Sequence, residues 1–599
     1  MKSKIFWLML SCLMVLSMVL ASCGTKTTPT TTPTTKPTTT STFTPTSTPT
    51  TTPTTTATGN WWDVYGVPQY GDTITIRWSA DPTSFDVYFR GSGDASGAEP
   101  LFRRNTSIDP KIWDFTTKFN DPKYNTSNLA DSWEMPDLAT LILHMHPGVH
   151  YWDRAPMNGR EFNADDVVYN FHRLLGIGSG FSKPTPYTGL GLAMPTVTSV
   201  TAPDKYTVVF KASKPSLPMY FEPSDPYNVW SPIQGGREIV EKYGDLTVWS
   251  HCVGTGPFMI IDYVSGSSIS FIKNPNYWNN DSRYPQNKLP YADALKYLII
   301  PDDATALAAL RTGKIDLIEN LSLRQSKSLS QTNPELKQLT RPLNPSVALG
   351  MRVDKAPFTD IRVRKAMQMA MDLKTIAATY YGGVVDPTPI GLIYPGYTGY
   401  CTPYSEWDAD VKAGYAYNPD GARKLLTEAG FPKGFKTNMV ATPIYDLDIF
   451  EVIKSYLAAI GIDMTIQVMD NTAYTAFLRA EKQDALFVDR AAAPITPYVS
   501  IQYRRSKQAY DYVHAADPIY DNFYDKAQST TDKDEQRSLI KQADYEAIKQ
   551  QWVVCLPLQI SYCVYQPYLA GGYTGQQTMG SDILSRFWID LKLKRAMGR

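Results

Sequence analysis

The sequence predicts an α/β fold of at least two lobes on an exported chain, and three observations carry that prediction. At 599 residues, 43% of them hydrophobic, the chain is far past the size at which one core keeps growing. Short helix, tight turn and strand recur through its body, the pattern of α/β lobes. Its amino terminus is laid out as an export signal. Length alone excludes a small disulfide-stapled scaffold. Lys+Arg 58 balances Asp+Glu 58 and mean hydropathy is −0.28, which excludes a polybasic nucleic-acid binder and a polytopic membrane protein. The first 58 residues hold four lysines and no acid, so the remainder is mildly acidic. Aromatic residues reach 12%; they fill cores or offer flat surface to amphipathic ligands.

The elements follow in chain order. Lys2 and Lys4 precede an apolar run, Ile5 to Leu20, that ends in Leu20-Ala21-Ser22-Cys23. The run is short for a 30 Å hydrocarbon core, so a cleaved signal over 1–22 is favoured over a retained anchor. Residues 24–58 contain 22 Thr and 6 Pro among 35 positions, too little apolar surface to fold, and 23–58 is expected to be a disordered tether. Cys12 lies in the signal. Cys252, Cys401, Cys555 and Cys563 remain in the body, where an oxidising compartment allows three full pairings. None falls at a CxxC spacing, which argues against a metal cluster.

Strand alternation marks Thr73 to Arg77, Thr140 to His144 and Tyr206 to Phe210. Asn163-Ala-Asp-Asp166 opens a helix, Val167 to Leu175, with a capping side chain and first-turn acids. Ala304 to Arg311 reads as a helix stopped by Gly313, followed by a strand at Ile315 to Ile318. Thr359 caps a helix through Met371, and Asn418-Pro419-Asp420 opens another that Gly430 closes. Phe450 to Ile460 is a further helix and Met464 to Val468 a strand. No repeat of 20 to 50 residues is present, against a solenoid or propeller.

Several blocks carry a resemblance. Leu129-Ala-Asp-Ser-Trp-Glu134, Leu141 to His150 with Pro147-Gly-Val149, and Asn158-Gly-Arg-Glu-Phe-Asn-Ala-Asp-Asp-Val-Val168 resemble the signature region of extracellular solute-binding proteins of the peptide/nickel importer family. Val253 to Phe258 with Asn274 to Trp278, Pro357 to Ala366, Tyr417 to Leu426 and Gly571 to Gly575 agree in the same order. Together they span roughly residue 70 to the end. Cys23 directly after Leu-Ala-Ser resembles a bacterial lipobox, which implies lipidation of Cys23 and an outer-face membrane anchor.

The resemblance implies an α/β two-lobed periplasmic-binding-protein fold of the large type II, with an inserted subdomain in lobe I and two hinge strands. Lobe I is then 59–298, with the insert at about 100–225 and a C-terminal return at 562–599. Lobe II is 299–561, and Tyr297 to Ile300 and Leu558 to Ser561 are the hinge strands. A ligand between the lobes shifts an open–closed equilibrium that an ABC permease reads. In peptide-binding members the extended ligand pairs its backbone with protein strands, leaving side-chain pockets permissive. The expected partners are a peptide or small-molecule ligand and the permease subunits. The chain is expected to be a monomer with no cofactor and no nucleic acid.

By the same resemblance the cleft carries Phe85 and Asp86 from one lobe and Gln559 at the second hinge. Peptide-binding relatives hold an acid for the peptide ammonium in a segment that reads Asp489-Arg-Ala-Ala-Ala-Pro-Ile-Thr-Pro497. The matching position is Ala493, with Asp489, Arg490 and Ala491 around it, and an unpaired buried ammonium costs several kcal/mol. Arg490 stands where an aromatic is common, and Arg352 replaces an Asn before Pro357. Two cleft arginines favour a carboxylate, phosphate or polyhydroxyl group; the competing reading pairs each with a neighbour such as Asp354 or Asp489. Peptide is the default cargo, with an oligosaccharide or organic anion as the alternative.

Catalytic signatures are absent: no HExxH, GxSxG, Walker A or EF-hand loop occurs. An anchored enzyme or adhesin is therefore the weaker reading. Gly176-x-Gly178-x-Gly180 and Gly254-x-Gly256 read as turn glycines. His144 and His146 share a strand face and His150 follows a turn, a set that could meet a metal or stand on a surface away from the cleft; the second reading, and no metal, is expected.

Overall fold

The computed structural model describes residues 59–599 except 88–96, 118, 120–121, 179–195, 216–231, 344–345, 493–495, 509–510, 531 and 577–579. The signal, the tether, Cys23 and Ala493 lie outside the described residues. Residues 60–599 form one compact unit, built on two sheets with separate cores.

The first sheet has seven strands in the order Phe258–Val264, Ser268–Lys273, Ala294–Ile299, Thr73–Trp78, Leu317–Leu321, Ile560–Tyr565, Lys337–Pro342. Thr73–Trp78 alternates as read, burying Ile74 and Ile76, and runs parallel to both its neighbours. Ile74, Leu295, Phe271, Val253 and Cys563 enter one apolar cluster. Leu310, Ile318, Leu329 and Val564 form a second. A separate four-stranded antiparallel sheet is formed by Ala130–Asp137, Thr140–Met145, Thr207–Ala212 and Val197–Asp204. The helix Ala164–Leu175 packs with it, its Val167, Phe171 and Leu174 fully buried in the lobe's core. Asn163 caps that helix by accepting the Asp165 N–H, and the Asp166 carboxylate accepts the Asn163 N–H at 3.0 Å.

The second sheet runs Ile462–Val468, Phe435–Ala441, Leu486–Ala491, Ser346–Met351, Val553–Val554. Helices including Ile361–Met369, Pro419–Glu428, Asp448–Ala459 and Lys533–Gln550 contribute to its core with Met367, Leu426, Phe450 and Ile540. The four body cysteines are free thiols, so none of the pairings left open by the sequence is formed.

The lobe boundary at 298/299 is corrected. Ala294–Ile299 pairs on both sides within the first sheet, so Tyr297 to Ile300 is no crossing. The chain continues through the helix Asp303–Arg311 and returns as Leu317–Leu321 beside Thr73–Trp78, parallel to it. A helical crossover of this kind keeps a parallel strand in its own sheet. Lys337–Pro342 then joins Ile560–Tyr565 in antiparallel register. The chain passes from the first sheet to the second between Pro342 and Ser346, and comes back between Val554 and Ile560, close to the expected Leu558 to Ser561.

Candidate functional site

The two crossings fix where the sheets approach each other. Leu343 N–H donates to the Gln559 carbonyl at 2.9 Å, which ties one crossing to the other. The Gln559 side chain is spent four residues further along: its Oε1 accepts from Val347 N and its Nε2 donates to Val347 O, each at 3.2 Å. Gln559, 3% exposed, thus acts as a pseudo-strand that starts the second sheet. Across that strand Val347 pairs with Arg490, and Ser346 with Ala491. Arg490, Ala491 and Gln559 therefore gather at the crossing end of the second lobe.

The two charges in this segment are differently employed. Asp489 is buried and paired with buried Arg504 at 2.6 Å, and its other oxygen accepts the Arg490 N–H at 2.8 Å. Arg490 is half-buried. Its guanidinium lies over the Tyr503 ring, 5.3 Å from the centroid, with an Nη1 to Tyr503 hydroxyl contact of 3.4 Å. Nearby phenols, Tyr503 first, and Asp489 outweigh its burial and hold its pKa above the usual arginine range. Among the described residues no carboxylate lies within ion-pair distance of the Arg490 guanidinium.

The turn after Ala491 is braced from behind. Ala492 is fully buried with φ +42°, a left-handed value uncommon for alanine, and its N–H donates to the Gly391 carbonyl at 3.1 Å. Gly391 has no room for a side chain, because a Cβ would lie 2.6 Å from Asp544 Oδ1. That oxygen accepts the Leu392 and Ile393 N–H groups at 2.8 and 3.1 Å. Burial pushes the Asp544 carboxyl up to about 7, against the two N–H groups that lower it.

The other sequence-derived candidates fall elsewhere. Arg352 is not part of this end of the sheet. It follows Met351, six residues beyond Ser346 and roughly 20 Å away at strand rise. Both edges of its guanidinium are committed, to Asp354 at 2.7 Å and to the Gln483 carbonyl at 2.7 Å. The pairing with Asp354 weighed from the sequence is the one the chain adopts. Phe85 and Asp86 belong to the first lobe, pinned by Gln234, which donates to Phe85 O and accepts from Val87 N, each at 2.8 Å. Phe85 is edge-on to Tyr263 at 5.0 Å, and Asp86, 1% exposed, pairs with Arg173.

His144 contacts Glu134 at 3.3 Å, His146 contacts Asp131 at 2.6 Å and His150 contacts the Gly159 carbonyl at 2.8 Å, each with a partner of its own. Gly176 is a left-handed helix cap, and Gly254 and Gly256 offer their carbonyls to Trp152. Arg504, Tyr503, Gly391 and Asp544 escaped the sequence reading. Their contacts link residues 13 to 152 positions apart, a separation that no local period reveals.

Two α/β lobes with separate cores, joined by two neighbouring crossings, define a bilobal solute-binding protein. Residues 126–512 match the bacterial extracellular solute-binding proteins, family 5, in their middle region, and the chain belongs to that family. It is 29% identical to heme-binding protein A of Haemophilus influenzae over 329 residues, 53% of this chain and 56% of that protein. It is 25% identical to di/tripeptide-binding protein 1 of Pseudomonas aeruginosa over 527 residues, 84% of this chain and 92% of that protein. In structure it resembles the periplasmic binding protein DppA of Helicobacter pylori in complex with the peptide STSA, with a TM-score of 0.69 and 21% identity over 87% of this chain and 99% of that one. The Bacillus subtilis oligopeptide-binding protein AppA with a nonapeptide gives 0.64 at 20% identity, covering 87% and 100%. Among the described residues no helix is long and apolar enough to cross a membrane.

Proposed function

We propose that this chain captures peptides between its two lobes and delivers them to an ABC permease. The observation that carries the reading is the pair of crossings: two separately cored lobes tied at Leu343 and Gln559 can rotate about that line, as hinge closure requires. The relatives aligned over two thirds or more of their length are named for dipeptides or di- and tripeptides; several solved neighbours hold peptides, while others hold agropinic acid or Fe(III)-EDTA. Arg490 anchors an anionic group of the cargo, its carboxylate in a peptide, because its position at the crossing end leaves a fork of donors without an acid partner among the described residues. Asp489, taken by Arg504, leaves the cargo ammonium to another group. Cys23 carries the lipid that holds the chain to the outer face of the membrane, and residues 24–58 act as its tether. The chain works as a monomer.

Thermal-shift screening of di-, tri- and longer peptides against oligosaccharides and organic acids tests this. A cognate peptide at 100 times its dissociation constant stabilises by about 2.7 kcal/mol. Stabilisation by sugars or non-peptide acids alone would overturn the peptide assignment. Replacement of Cys23 by Ala is expected to release the protein from membranes.

A further inference from the structure

The lobes also meet at a place distant in sequence from both crossings. Between the paired strands Phe102–Arg104 and Asn125–Ser127 of the first lobe, the described residues form an arm anchored to that lobe at several points. The buried Arg104 guanidinium donates to the carbonyls of Phe115 and Thr117 at 3.3 and 3.2 Å. Thr574 Oγ1 donates to Asp114 O at 2.8 Å, and Trp61 Nε1 to Ser107 O at 3.2 Å. Phe115 holds φ +59°, a conformation that costs a residue with a bulky side chain and persists where surroundings impose it. Beyond this bend, Phe119 is 6% exposed and lies in the apolar core of the second lobe. Its ring meets Tyr397 and Tyr400 edge-on, at 5.1 and 5.7 Å.

We propose that Phe119 is a clasp: the tip of an arm built on the first lobe, buried in the second, that biases the ligand-free protein toward closure. Opening the lobes pulls this ring from its aromatic seat into water, so the contact favours the closed arrangement whether or not a cargo is present. A ligand then supplies only the rest of the closing free energy, and its escape waits on release of the clasp. The consequence for cargo rests on the peptide-capture reading; the contact between lobes does not.

The test reads the empty protein. Spin labels carried by noncanonical residues at exposed Ile261 in the first lobe and Val468 in the second report the interlobe distance in the full chain without peptide. Wild type is expected to show a dominant short distance. Phe119→Ala and Tyr400→Ala should each raise the open-to-closed ratio about tenfold, equivalent to about 1.4 kcal/mol, and the double variant should go little further. Ile112→Ala, on the same arm but 64% exposed, should change nothing. If Phe119→Ala does not fold, Phe119→Leu is read the same way, with a smaller shift in the same direction. An unchanged distance distribution, or strictly additive effects of the two variants, overturns the clasp. A protein that shows the shift but binds no peptide keeps the clasp and loses the capture reading; one that binds peptide without the shift loses the clasp alone.

Discussion

Asp489 and Arg490 are neighbours with opposite employment, and substitutions should separate them. Arg504→Ala strands a buried carboxylate at Asp489 and is expected to cost about 3–5 kcal/mol of stability, measured by urea unfolding. Arg490→Ala breaks no ion pair and should leave stability within about 1 kcal/mol. It should weaken peptide affinity by about 10- to 100-fold in calorimetry, the value of a hydrogen bond to a charged group; intact affinity would remove Arg490 from the site. Asp544 gives a pH signature. Its carboxyl titrates at about 7 when folded, against an ordinary 3.8, so between these values the native state holds a proton that the unfolded chain has released. Stability from this group is complete below about pH 4 and lost as pH rises through 7. Neighbouring Cys401 and Tyr415 are held above that range by burial and do not mask it. Asp544→Asn should reduce the stability slope between pH 4 and 7, leaving the part contributed by Asp316, which burial raises to about 6. At this scale the sequence placed Arg490 and Ala491 beside the crossing through resemblance alone. It could not tell Arg352 from Arg490, because commitment to Asp354 is a matter of side-chain geometry.

Helix starts were the most legible elements, since a cap is a local arrangement of side chain and N–H. Asn163 and Asn418 cap helices as read, whereas the helix assigned to Thr359 is capped by Asp360. Asp532 caps Lys533–Gln550 through the Asp534 and Glu535 N–H groups at 2.8 and 3.0 Å. Asp532→Ala should cost about 1 kcal/mol without altering the pH slope of Asp544 on the same helix, as denaturation at several pH values would show. Strands were less legible. The one expected at Ile315 to Ile318 runs Leu317–Leu321 instead, because Asp316 accepts the Thr75 N–H and the Tyr568 hydroxyl. Its return to the first sheet depends on which edge the preceding helix leaves open, a question of topology rather than of local pattern.

At the scale of the molecule, separate cores predict that unfolding without ligand departs from two-state behaviour, with a calorimetric enthalpy above the van't Hoff value. Saturating peptide should draw the two values together. The existence of two lobes was legible in the length and grammar of the chain. Their boundary was not, because the stretch from Asp303 to Pro342 has the composition of either lobe and only strand pairing assigns it. The same pairing has a consequence for biosynthesis. Ile560–Tyr565 sits between Leu317–Leu321 and Lys337–Pro342, so a ribosome must finish almost the entire polypeptide before the larger sheet can close. The strands of the smaller sheet all lie between Ser346 and Val554 and emerge complete beforehand. A nonsense codon just after 559 would thus yield a product with its smaller half assembled and a strand-wide gap in the other, two raw edges open to aggregation.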